Sequence, residues 1–207
     1  MRLIRERVKE HLPSVLLTLL SIVQALALEL LWSHVRETGY LYESWSAALW
    51  WSQILAVFLG IVLIWVVYAS SAMRFRWVPS TGDSVYPFII GISEFVLVAT
   101  LGPDHLGVWF LTLAFVFAIM NWVSHETMRR ARFDEENAEF FAGVGRATLR
   151  DFYGAFAVVA GLAAFGIGAM LWEPGTLVAA VSIVIANGLL IAQLYVARRF
   201  WERSIAP

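Results

Sequence analysis

The sequence contains no cysteine, which removes disulfides, thiolate metal sites, cysteine nucleophiles and dithiol redox chemistry together. Charge is scarce as well. Charged residues make up 15% of the 207, against about 25% in soluble domains. Lysine occurs once, at Lys9 ahead of the first apolar run, so no buried lysine can carry a retinal-type Schiff base. A formal net charge of −1 supplies no basic field, and no nucleic-acid partner is expected. Motifs are missing too. There is no HExxH metalloprotease helix, no Gly-x-Ser-x-Gly elbow and no Walker A phosphate loop. A Thr-Val-Gly-Tyr-Gly filter and arginines at every third position of a span are equally absent. Nothing in the sequence names an enzymatic reaction, a metal or a cofactor.

What is present is hydrocarbon. Hydrophobic residues make up 60% of the chain, and its mean hydropathy is +0.71. Six apolar runs are long enough to cross a bilayer: 13–35, 46–70, 84–102, 105–125, 151–172 and 176–197. None has Arg or Lys in its interior. Pro13 and Pro87 fall in or near expected first turns, where a missing N–H is harmless. Gly102-Pro103-Asp104 and Glu173-Pro174-Gly175 read as tight turns. The expected fold is all-α: a polytopic membrane protein of six transmembrane helices in three hairpins. Residues 1–12 form a charged head with no small-residue cleavage site after it, so span 1 is expected to be retained. Residues 13–197 form the single transmembrane domain, with a loop or surface helix at about 126–150, and 198–207 form a tail.

Basic residues set the orientation. Of the 15 Lys and Arg residues, only Arg36 falls opposite the rest once six spans are drawn. Five or seven spans would destroy that segregation. The positive-inside rule then puts both termini in the cytoplasm, in the inner (plasma) membrane. Tryptophan fits the same frame. Trp32, Trp45, Trp50, Trp51, Trp109 and Trp172 fall at the outer edge, Trp77, Trp122 and Trp201 at the inner edge, and Trp65 inside a span. Spans 2, 4 and 6 end alike, in Met73–Trp77, Met128–Phe133 and Ala197–Trp201. A threefold hairpin repeat would explain this, but positive-inside charge plus interfacial aromatics suffices.

An ionisable side chain at bilayer depth costs about 2.5–3.5 kcal/mol on insertion scales, so each one calls for a reason. Glu29 in span 1 and Glu94 in span 3 qualify. They lie roughly 9 and 12 Å below the outer boundary at 1.5 Å per residue, in one layer. Ser14, Thr18, Ser21, Ala25, Glu29 and Trp32 form a small, polar stripe along span 1, expected to face a helix or a water-filled path and not lipid. Glu94 stands alone on an apolar face beside Gly91, and is expected to be protonated unless paired. Gln53 and Asn187 are the polar candidates nearest that layer; Gln24 lies one turn deeper than Glu29 on another face. No Lys or Arg reaches this depth. The acids must therefore be protonated, bonded to amides or hydroxyls, hydrated, or bound to a cation.

Three further features round out the reading. Gly154, Gly161 and Gly168, with Ala157 and Ala164 between them, give span 5 a smooth face for a tight 5/6 hairpin or a subunit interface. His11 and His125 are expected inside, His34 and His105 outside. A bis-histidine haem is disfavoured because such superficial positions would enclose it poorly, and no cofactor is expected. An outer pH sensor built on His34 and His105 is the alternative use. The acidic run Asp134–Glu139, beside Phe133, Phe140 and Phe141, reads as a solvated surface helix or as a docking surface for a cytoplasmic partner. The leading functional expectation is a homo-oligomeric channel or small transporter that binds a proton or cation at Glu29 and Glu94, assisted by Gln53 and Asn187. The alternative is a non-transporting assembly or accessory subunit whose acids and small faces hold helices together.

Overall fold

A computed structural model describes residues 2–43, 47–172 and 175–205. Trp45 and most of the turn expected at Glu173-Pro174-Gly175 lie outside the described residues. The fold is all-α, and six of its helices are long and apolar enough to cross a membrane. These are α1 (Arg2–Glu37), α3 (Ala47–Arg74), α4 (Thr81–Ala99), α5 (Leu106–Ala131), α7 (Tyr153–Leu171) and α8 (Thr176–Ile205). The short helices α2 (Tyr40–Glu43) and α6 (Ala138–Ala142) lie in the connections, with 3₁₀ turns at Glu135–Asn137 and Leu149–Phe152.

The helices outrun the apolar segments that announce them. The expected head and tail continue α1 and α8: Arg and Glu are good helix formers, no Gly or Pro stands at the α8 junction, and α1 runs on through Pro13. Pro13 and Pro87 consequently sit inside their helices and not in first turns. Each leaves one carbonyl a turn earlier without its N–H partner.

Helix pairing differs from a simple succession of hairpins. The closest packing joins α5 to α7, α3 to α8 and α1 to α4. Helices α3 and α8 run parallel: Ser52 and Asn187 meet near the start of α3, and the Arg74 guanidinium lies 4.2 Å from the Phe200 ring at its end. Chain-adjacent α4 and α5 do pack, across a turn made possible by Gly102. That glycine has φ 105°, and a Cβ there would fall 2.9 Å from the Tyr40 hydroxyl.

Glycine also sets two crossings. A Cβ on Gly107 would fall 2.8 Å from the Gly166 carbonyl oxygen, and one on Gly166 would fall 2.9 Å from that of Gly107, so α5 and α7 touch backbone to backbone. Gly91 receives Val23 of α1. The face of α7 formed by Gly154, Gly161 and Gly168 is a different one. Each of these glycines has open space where a Cβ would sit. Span 5 thus uses Gly166 for its close contact, and the smooth face expected to meet span 6 is left outward.

Tryptophan is split between protein and surroundings. Trp50, Trp77 and Trp109 are buried in the protein, Trp109 edge-on to Phe110 with ring centroids 4.9 Å apart. Trp32, Trp51, Trp65, Trp122 and Trp172 are exposed.

Candidate functional site

Glu94 is the most deeply buried acid among the described residues, only 1% exposed. Gly91, one turn earlier on α4, lets α1 approach closely through Val23, and the neighbouring Gln24 then reaches Glu94. The Gln24 amide nitrogen donates to Glu94 Oε1 at 3.1 Å and to the Ile61 carbonyl of α3 at 3.0 Å. One amide therefore ties three helices together. Glu94 Oε2 is buried without a protein partner.

A cavity of about 100 Å³ lies beside Glu94, between α3 and α5, with Leu190 and Gln193 of α8 on a further side. It runs along α5 from Leu113 as far as Asn121 and Ser124. The same Asn121 and Ser124 line a second, larger cavity of about 940 Å³ at the basic end of the bundle. That chamber carries Arg129, Arg132, Arg146 and His125, with Asp151 and the Phe141 and Phe152 rings. Arg129 is matched by Glu126 at 2.6 Å, whereas Arg132 donates to the Val144 and Gly145 carbonyls.

The other sequence candidates are dispersed. Glu29 is exposed on the outward side of α1, about 140° around the helix from Gln24 at 100° per residue. Its companions Ser14, Thr18, Ala25 and Trp32 are exposed with it. The two acids do not share a site. Gln53 is fully buried, but its Oε1 accepts the Gly102 N–H at 2.9 Å and so clamps the α4–α5 turn to α3. Asn187 donates to the Ser52 carbonyl at 2.9 Å and to the Ser52 hydroxyl at 3.1 Å, clamping α8 to α3. His34 bonds the Tyr40 hydroxyl at 2.9 Å, while His105 is exposed on the wall of a separate cavity with Asp104. Burial first, and then the Asp104 carboxylate, push the Tyr40 phenol up. Among the described residues no three His, Asp or Glu side chains converge as a metal site would require.

Sequence reasoning missed the ionic network at the basic end. Lys9, 8% exposed, meets Asp134 at 2.7 Å, with Glu6 and Glu136 at 3.6 and 3.7 Å. Arg130 grips Asp83 through both terminal nitrogens at 2.7 Å, and Asp83 also accepts the Ser80 N–H at 2.9 Å. Asn137 is buried and bonds both the N–H and the carbonyl of Arg76. The acidic run Asp134–Glu139 is thus partly consumed inside the protein: Asp134 and Asn137 face inward, and Glu135, Glu136 and Glu139 stay exposed. One available signal was periodicity. Lys9, Pro13, Leu16, Leu20, Gln24, Ala27, Leu31 and Val35 recur at three- and four-residue steps, and all are buried. Lys9, Asp83 and Glu94 are thus buried charged residues of a membrane protein, each held by its own ion pair or hydrogen bond. The chain matches no family model, and neither a curated protein nor a solved structure is found to be similar to it.

Proposed function

We propose that the protein is a small membrane transporter or channel in which Glu94 is the carboxylate that binds a proton or a cation. The observation that carries this reading is Glu94 itself: a 1% exposed acid with one oxygen unpartnered, lining a cavity, and answered by an amide in place of a cation. Carboxylates kept at bilayer depth without a structural counter-ion mark ion and proton pathways. Asn121 and Ser124, common to the Glu94 cavity and the basic chamber, indicate the direction of entry. In this reading the basic end faces the cytoplasm with both termini, following the positive-inside rule, in an inner (plasma) membrane. Gln24 positions Glu94, Gln53 and Asn187 hold helices, and Glu29 belongs to an outward contact of a homo-oligomer.

The test is cation and proton flux into vesicles reconstituted with the purified protein. Glu94→Gln keeps an acceptor for Gln24 and is expected to abolish Glu94-dependent flux while the elution profile of the protein is unchanged. Flux equal to wild type in that variant overturns the proposal.

A second reading, a non-transporting assembly subunit, is favoured by a separate observation: the outward face of α1 with Glu29 and the open glycine face of α7 are both unused within the chain. It is supported if protein without measurable flux assembles in bilayers and Glu29→Gln with Gly161→Leu disperses the assembly.

A further inference from the structure

The wall of the Glu94 cavity narrows what can occupy it. Among the described residues, Glu94 is the one ionisable group there; Asn121, Ser124 and Gln193 are the other polar ones, and the remaining wall is apolar. The Asn121 amide nitrogen is already turned back to the Phe117 carbonyl at 2.7 Å. No Lys or Arg lines the cavity, so an anionic or zwitterionic guest would set its own carboxylate or phosphate against Glu94 with nothing to neutralise it. A bare metal ion fits no better. Calcium takes about six to eight oxygen ligands, and magnesium needs a nearly ideal octahedron, whereas this wall offers a single carboxylate. A neutral hydrocarbon would leave Oε2 without a partner. One positive charge on an apolar body satisfies both parts of the site.

We infer that this cavity binds a lipophilic monocation of the alkyl- or cycloalkylammonium class. The ammonium donates to the Glu94 carboxylate, and the hydrocarbon lies between α3 and α5 against Ala56, Ile64, Leu113 and Phe117. The inference rests on the reading of Glu94 as the cation-binding group and adds the chemical class of the ligand. Size limits the guest. An apolar cavity of about 150 Å³ holds benzene, so about 100 Å³ suits a five-membered ring or a short chain. Gly60 supplies an independent handle. It lines the same cavity, and a Cβ added there meets nothing within 4 Å, so α3 accommodates a larger side chain at the cavity wall.

The experiment is calorimetric titration of the full chain in detergent micelles with cyclopentylamine and, as the uncharged counterpart, cyclopentanol, each corrected against empty micelles. The expected result is saturable amine binding that Glu94→Gln weakens about tenfold or more, while the weaker alcohol binding changes little. Glu94→Asp should retain part of the preference for the amine, and Gly60→Leu should weaken amine and alcohol alike. Each variant is compared at matched helicity and elution volume, and Gly60→Leu decides the matter should Glu94→Gln fail to fold. The inference is overturned if wild type binds the amine no better than the alcohol, if folded Glu94→Gln binds the amine as wild type does, or if Gly60→Leu leaves amine binding unchanged. Flux separates this failure from failure of the proposed function. Glu94-dependent proton flux without amine binding removes the ligand class and leaves the proton pathway standing. Amine binding without any flux retains the site and removes transport.

Discussion

Asp83 and Glu94 are acids on one helix, both buried, and they live in opposite electrostatic circumstances. Asp83 lies at the basic end, where α5 leaves the apolar layer, and the Arg130 fork answers it with two 2.7 Å bonds. Glu94, three turns further along α4, is answered by a single amide proton from Gln24. The difference teaches how burial divides labour. A carboxylate matched by a guanidinium is committed to holding helices, because removing either partner strands a charge. A carboxylate matched only by an amide keeps a free oxygen and can exchange a proton or a cation.

The sharpest break of that comparison is Asp83→Ala. It leaves Arg130 buried beside α4 without its partner, and loss of one member of a buried pair costs about 3–5 kcal/mol. The lower end of that range is expected, since Glu126 lies 3.4 Å from Arg130 and can take over part of the charge. Thermal unfolding in detergent checks this, and a drop no larger than that of Glu94→Gln would erase the distinction between the two acids. Lys9→Met tests the same end from α1. It removes the 2.7 Å bond to Asp134 while keeping the bulk of the side chain, and a smaller loss is expected because one bond is lost where the Arg130 fork makes two, and Asp134 keeps the Glu136 N–H.

Next in size come the two glycine faces. Gly107→Val forces a Cβ to within 2.8 Å of the Gly166 carbonyl and is expected to cost about 1–3 kcal/mol, as overpacking does. Gly161→Val, on the open side of α7, is expected to leave the melting temperature of the solubilised chain unchanged or slightly raised. The pair separates glycine that holds this fold from glycine left free for another helix. Glu94→Gln stands below Gly107→Val. Its amide oxygen can still accept from Gln24, so stability is expected to shift by under about 1 kcal/mol, measured by the same melting curves, while flux is lost.

How much of this was legible follows from where water stops being a guide. The six helices were readable because hydropathy and length alone decide what can cross a bilayer. Pairing was not, since α7 is apolar on nearly every face and lipid rewards none of them over another. Positive-inside logic treated Lys9 and Arg130 as topology markers, which hid their bonds to Asp134 and Asp83. The α1 stripe misled for a more specific reason. Thr18 returns its hydroxyl to the Ser14 carbonyl at 3.0 Å and Ser21 to the Leu17 carbonyl at 2.9 Å. Hydroxyls satisfied within their own helix need no protein neighbour and cost little facing lipid. Gln24 has no such local outlet. It finds its acceptors on α3 and α4, and that reach, more than the position of the acids, marks the buried face of α1.

The smallest expected effect makes Glu29 the last test of the comparison. In the solubilised chain it is exposed, so Glu29→Gln is expected to change thermal stability by no more than about 0.5 kcal/mol. In a bilayer the same residue meets either headgroups or another helix. If lipid headgroups solvate it, the substitution leaves the oligomeric state measured by crosslinking in vesicles as it was. If a second copy covers α1, Glu29→Gln changes that state even though the detergent melting curve does not move. Glu29 would then resemble Asp83 in holding helices together, with its partner supplied from outside the chain, and Glu94 would remain the buried acid with one oxygen uncommitted.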